Sequence, residues 1–217
     1  MRILIVYAHP DNGKSHNSMV FREVVSELES RKIGHSIADL YRDRFDPSLP
    51  AEEWAEDKCG ADVKRYQKMI SESDRLIFIY PVWWYSSPAI LKGFFDRVFT
   101  SGFAYNFRKE PLWMKVAKSL FMPLLSIRLL YPVIQFFLPV DQHLRGKKAL
   151  VINTYGGDES GFRVYGHAPQ YTADRAVLEF CGISPVYRVN WYNTRHKKEI
   201  PEATRRAILS GLRKLLE

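Results

Sequence analysis

Cysteine is nearly missing from this chain: Cys59 and Cys181 are the only two, far apart and outside any paired motif. That excludes a disulfide-stapled scaffold and a cysteine-ligated zinc module, and both residues read as reduced thiols. The glycine signatures of common nucleotide folds are missing too. Neither Gly-x-x-x-x-Gly-Lys-Ser/Thr nor Gly-x-Gly-x-x-Gly occurs, so a phosphate-loop NTPase and a conventional dinucleotide fold are disfavoured. Apolar runs stop well short of the roughly 20 residues that span a bilayer. The opening residues lack a basic n-region, a long apolar core and a small-residue cleavage site, so no secretory signal is expected and the cytoplasm is the expected location. RNA-recognition signatures, zinc-finger spacings and basic-region heptads are absent, and neither a nucleic-acid partner nor a metal is expected.

What is present is a 217-residue chain of ordinary globular composition, with 46% hydrophobic and 26% charged residues. Its 32 Lys and Arg against 24 Asp and Glu give a net charge of +8, which favours phosphate-bearing ligands or an anionic surface. Continuous apolar runs at Ile3–Tyr7, Leu76–Tyr80, Ala149–Asn153 and Val186–Asn190, with a shorter one at His35–Leu40, read as buried parallel strands. Helical spacing predicts helices over Asn17–Arg31, Asp62–Ser73, Ala89–Phe99, Tyr171–Cys181 and Pro201–Leu216, with Gly34 expected to end the first. Strands alternating with helices predict an α/β fold, a doubly wound five-stranded parallel sheet of order 2-1-3-4-5, in one domain over 1–217. The loops after Tyr7, Tyr80 and Asn153 then meet at one edge, where ligands bind in such sheets.

Residues 110–140 do not fit that alternation. They are strongly apolar and broken by Pro123, Pro132 and Pro139. They predict an insertion of one or two short helices between helix and strand, at about 110–143. It could serve as a dimer interface or extra core layer, as a lid over a greasy substrate, or as a shallow membrane contact through Lys115, Lys118 and Arg128.

Three loops carry the chemistry. After the first strand comes Ala8-His9-Pro10-Asp11-Asn12-Gly13-Lys14-Ser15-His16-Asn17. A helix starting there offers backbone amides to an anion, with Ser15 and Asn17 as side-chain donors and His9 and Lys14 as charge. The plainer reading is Ser15 as an N-cap, worth about 1 kcal/mol. After the third strand comes Pro81-Val82-Trp83-Trp84-Tyr85, leading to Pro88 at a helix start. Exposed indoles favour aggregation, so either a flat conjugated ligand covers them or they plug the core. After the fourth strand, Gly156-Gly157 is a turn or a place where amides approach a ligand closely. An amide there could also stabilise negative charge on a reduced ring. His167 further on is read as a surface histidine unless that loop is functional.

Those loops, with Pro88-Ala89-Ile90-Leu91-Lys92-Gly93, Asp96-Arg97-Val98-Phe99, Gly102-Phe103-Ala104-Tyr105 and Thr154-Tyr155-Gly156-Gly157, resemble the flavodoxin-like NAD(P)H:quinone oxidoreductase family. That family takes in the modulators of drug activity and the flavoprotein subunits of potassium-efflux systems. The resemblance implies a bound flavin, FAD with FMN as the alternative, in a homodimer passing hydride from NAD(P)H to a quinone by ping-pong turnover. It implies Ser15 and Asn17 at the diphosphate, with His9 and Lys14 nearby. Pro81, Val82, Trp83, Trp84 and Tyr85 would lie along the ring, and Thr154, Tyr155, Gly156 and Gly157 at its polar edge. Tyr105 and Phe162 would face the substrate. Counted from Gly157, Phe162 stands where mammalian members have the Tyr of a proposed charge relay, and His167 stands at the His position. Since Phe carries no proton, either His167 works through solvent or Tyr165 substitutes, with Gly156 beside the reacting ring. Other readings are a regulatory flavoprotein docked on a membrane transporter through 110–140, and an FMN-dependent azo- or nitroreductase.

Overall fold

The computed structural model describes residues 1–56, 59–109, 111, 112, 115, 116, 119, 140–164, 166 and 168–217. Five strands form one parallel sheet: β1 (Ile3–Tyr7), β2 (His35–Asp39), β3 (Arg75–Pro81), β6 (Lys148–Thr154) and β7 (Val186–Trp191). Their order is β2-β1-β3-β6-β7, the expected 2-1-3-4-5 counted over the sheet alone. Two short strands, β4 (Tyr105–Phe107) and β5 (Val140–Gln142), pair antiparallel as a separate ribbon. β5 falls inside the expected insertion, and the short helices expected there fall mostly outside the described residues.

Alternation along each buried strand sends side chains to two different cores. Ile3, Ile5, Tyr7, Ile77 and Ile79 pack beneath α1 (His16–Ser30) and the last helix, α6 (Glu202–Leu216). Leu4, Val6, Leu76, Phe78 and Tyr80 pack on the opposite face. That face is covered by α3 (Ala61–Ser71), α4 (Ala89–Val98) and a π-helix at Gln170–Glu179. Two short helices, α2 (Ala51–Glu56) and α5 (Glu159–Val164), lie in the connections.

Expected helix bounds hold to within two residues, and the terminal differences have local causes. Ser15 is the N-cap of α1, its hydroxyl accepting from Ser18 N–H at 3.1 Å. Gly34 does not end α1. Lys32 takes the left-handed turn instead (φ 56°), with Ile33 N–H bonded back to Leu28 O and Lys32 N–H to Glu29 O, both 2.9 Å. Pro201 caps α6 rather than opening its first turn. Among the described residues no helix is long and apolar enough to cross a membrane.

Candidate active site at the carboxyl edge of the sheet

The carboxyl ends of the central strands open onto a cleft of about 480 Å³. Its walls include His9, Ser15, His16 and Asn17 after β1, and Pro81 at the end of β3 with Val82, Trp83 and Trp84 after it. Thr154 ends β6, Gly156, Gly157 and Phe162 follow it, and Thr194 and Arg195 follow β7. The three loops singled out in the sequence therefore meet, and a fourth joins them.

Asn17 is 1% exposed, and its Nδ2 donates to Thr154 Oγ1 at 2.6 Å. Its Oδ1 is buried without a partner. A hydroxyl serves as donor or acceptor, so either orientation of the amide keeps this bond and leaves one polar end over. In the first turn of α1 the amides of His16 and Asn17 have no intrahelical acceptor, and the helix dipole adds positive potential. Ser15 differs from expectation: its single proton goes to Asp11 O at 2.6 Å, so its hydroxyl serves the turn and cap. Asp11 organises that turn by accepting from Gly13 and Lys14 N–H, both 2.9 Å, and those bonds hold its carboxyl below the ordinary range. His9 Nδ1 accepts from Asp11 N–H at 3.0 Å, and burial lowers its pKa, favouring the neutral ring. Lys14 is exposed and does not line the cleft.

Trp83 to Ser86 form a two-residue hairpin closed by reciprocal bonds of 3.1 and 3.0 Å. Both central residues have positive φ, 50° at Trp84 and 60° at Tyr85, as a type I′ turn demands but without the usual glycine or asparagine. Left-handed backbone costs a side-chain-bearing residue roughly 1–2 kcal/mol. Strain of this kind gathers at ligand sites. Trp84 is 95% exposed and Trp83 42%, so these indoles do not plug the core. Tyr85 turns back onto Phe162, ring centroids 4.8 Å apart, without lining the cleft.

On the opposite wall, no protein acceptor meets the N–H of Gly156 or Gly157 among the described residues. A β-carbon on Gly156 would stand 3.3 Å from Arg195 Nε, so the glycine lets this cation lie close over the backbone. Arg195 makes no ion pair among the described residues. The loop carrying it is pinned by Asn193 N–H to Gly157 O (2.9 Å) and Thr194 N–H to Tyr155 O (3.0 Å). Arg195, Thr194 and His16 were not assigned a role from the sequence. The available signal was the basic cluster beginning at Arg195 directly after a strand, since all five carboxyl ends share one edge.

Besides Lys14 and Tyr85, two more expected residues lie away from the cleft. Tyr155 is buried behind it, edge-on to Phe162 and tilted against Tyr192 at 4.5 Å each, its hydroxyl donating to Asn190 Oδ1 at 3.3 Å. Tyr105 sits in β4 against Phe107 and Phe180. His167 and Tyr165 fall outside the described residues.

With this geometry in view, the description of the flavodoxin-like fold matches residues 1–120 and 135–215, nearly the whole chain. The chain belongs to the flavodoxin-like fold family. Within it, the chain is 29% identical to NAD(P)H dehydrogenase [quinone] 1 of Cavia porcellus, over all of this chain and 76% of that protein. It is 37% identical to the ribosyldihydronicotinamide dehydrogenase-like protein traD of Penicillium crustosum, over 49% of this chain and 46% of that one. The crystal structure of Smu.1420 from Streptococcus mutans UA159 superposes with a TM-score of 0.72 at 28% identity, each chain covered fully.

The cleft suits the cofactor type that the sequence resemblance implied. Two anion anchors, the α1 amides and Arg195, suit phosphate, while flat aromatics and open glycine amides suit a polar-edged ring.

Proposed function

We propose that the protein is a flavin-dependent NAD(P)H dehydrogenase acting on quinones, with FAD as its flavin. The observation that carries this reading is the convergence, in one cleft, of groups that lack a partner among the described residues (the buried Asn17 Oδ1, the Arg195 guanidinium, the Gly156 and Gly157 amides) with a strained Trp83–Tyr85 turn. Bound there, a flavin supplies two-electron chemistry, taking hydride from NAD(P)H and passing it to a quinone in alternating half-reactions.

The chain's own groups divide the remaining work. The α1 amides, Asn17 and Arg195 hold phosphate, and two separate anchors favour a diphosphate over a single phosphate. Trp83 and Trp84 flank the ring and exclude water from it. Gly156 and Gly157 amides point donors at the ring's polar edge, where charge grows on reduction. His9, whose neutral ring is favoured by burial and whose Nδ1 accepts from Asp11 N–H, presents Nε2–H as a donor without adding charge. Phe162 closes the wall where it has no proton to give, so proton delivery falls to Tyr165 or His167.

The family resemblance favours a homodimer, which would cover exposed apolar side chains such as Trp54, Trp84 and Phe107. Light scattering tests that. For the activity, purified protein should be yellow and release FAD on denaturation, identified by mass spectrometry. It should oxidise NAD(P)H with menadione and not without an acceptor. Released FMN would move the reading to an azo- or nitroreductase. A colourless protein that takes up neither flavin would end it.

A further inference from the structure

Behind the cleft floor, the otherwise apolar sheet face carries a buried polar row. Tyr80 of β3 stands in register with Asn153 of β6, and Asn153 with Asn190 of β7. Arg188, two residues before Asn190, lies on the same side under the π-helix. Its guanidinium grips both carboxylate oxygens of Asp174, Nε to Oδ2 at 2.8 Å and a terminal nitrogen to Oδ1 at 2.5 Å. It also donates to Pro169 O at 3.3 Å and to Asn153 Oδ1. Asn153 Nδ2 in turn donates to Tyr80 O at 3.1 Å. Side-chain exposure is 11% for Arg188 and 6% for Asp174, so this is a buried charge pair.

Such pairs contribute little net stability, because desolvation offsets attraction, and apolar replacements of similar volume are often neutral or stabilising. Their consequence lies in geometry, and here the placement is specific. Tyr80 directly precedes Pro81, and Asn153 directly precedes Thr154, both lining the cleft. Pro169 closes the segment that begins with α5 and Phe162. The guanidinium therefore bonds directly to β6 at Asn153 and to the stretch at Pro169, and reaches β3 through the Asn153 amide, so it links three stretches that each supply a cleft wall.

We propose that Arg188, with Asp174, is a positioning pair that holds the β3, β6 and α5 walls of the cleft in register for the ring. The consequence for cofactor binding rests on the flavin reading above; the bracing does not. Arg188→Lys keeps the charge but loses the planar fork that reaches several acceptors at once. The double variant Arg188→Met/Asp174→Leu removes both charges at similar volume.

The test combines thermal melting, flavin titration by fluorescence quenching, and hydrogen exchange of the unliganded protein at the Val82, Tyr155 and Asn193 amides, whose bonds to Thr154 O, Trp191 O and Gly157 O tie the walls together. Both variants should melt within a few degrees of wild type, exchange these amides about tenfold faster, and bind flavin about tenfold more weakly, as loss of charge-assisted bonds implies. Unchanged exchange and affinity in Arg188→Lys would overturn the proposal. So would collapse of the double variant with wild-type exchange in Arg188→Lys, which would make the pair a stability element. If wild type takes no flavin while exchange still quickens in the variants, the cofactor reading fails and the bracing stands.

Discussion

The packing around α4 and the cleft at the carboxyl edge use the same residue types and end in opposite states. On α4, Arg97 is buried, donates to both oxygens of Glu53 at 2.8 and 2.6 Å and to Asp46 O at 2.6 Å, and pairs with Asp62 at 3.1 Å. Its guanidinium stands 5.1 Å over the Phe45 ring. Among the described residues, four buried side-chain polar atoms lack a partner: Tyr7 Oη, Asn17 Oδ1, Tyr80 Oη and Trp191 Nε1. All four sit at the ends of β1, β3 and β7 or in the first turn of α1. Buried polar groups are normally satisfied, and of these four only Asn17 lines the cleft, so its Oδ1 is the one a ligand there would complete. The α4 region is finished by the chain itself. The cleft is not.

Breaking the finished region should cost the most stability. A β-carbon at Gly93 would stand 2.2 Å from Pro47 O, with backbone on the far side that cannot step aside. Gly93→Ala should destabilise by about 3 kcal/mol, as strong overpacking does, seen in a urea melt. A wild-type midpoint would refute the contact. Next comes Glu53→Gln. The Arg97 bond holds the Glu53 carboxyl below the ordinary range, so its stabilisation is present at neutral pH and lost as pH falls through that depressed value. The variant should lose about 2 kcal/mol at pH 7, less than the full cost of breaking a buried pair because Asp62 remains. The gap should close in acid, and a gap constant down to pH 3 would contradict the assignment.

The cleft should respond in binding rather than stability. Trp84→Gly should be about 1 kcal/mol more stable than Trp84→Ala, since glycine carries no penalty at positive φ. Both should bind flavin more weakly. Equal melting of the two would remove the strain argument, and undiminished affinity would place the ring elsewhere. The smallest stability change is expected for Asn17→Leu, where loss of the Thr154 bond is offset by removing an orphaned buried acceptor. Its melting midpoint should stay near wild type while flavin uptake falls; retained uptake would detach Asn17 from the ligand.

Much of this was legible in the residues. Ile3–Tyr7 read as a strand with the bounds it has, and the loops after β1, β3 and β6 meet as their places in the order require. The departures follow from neighbours distant in sequence. Tyr155 was grouped with Thr154 and Gly156, yet alternation turns Thr154 toward α1 and Tyr155 toward the π-helix side. Lys32 rather than Gly34 reverses the chain after α1, because Ile33 and Leu28 fix the turn through backbone bonds that tolerate a lysine. Gly93, part of the family-like string, is explained by the approach of Pro47 and not by any ligand.

Taken alone, the chain determined its parallel sheet, its strand order and the edge where ligands gather, because hydrophobic periodicity and turn chemistry are local properties. Only the tertiary structure decided that Arg195 enters the cleft, that Ser15 spends its proton on Asp11, and that Arg188 meets Asp174 beneath the floor. Those outcomes depend on which side chains register and packing bring within hydrogen-bond reach, and no spacing along the sequence encodes that distance.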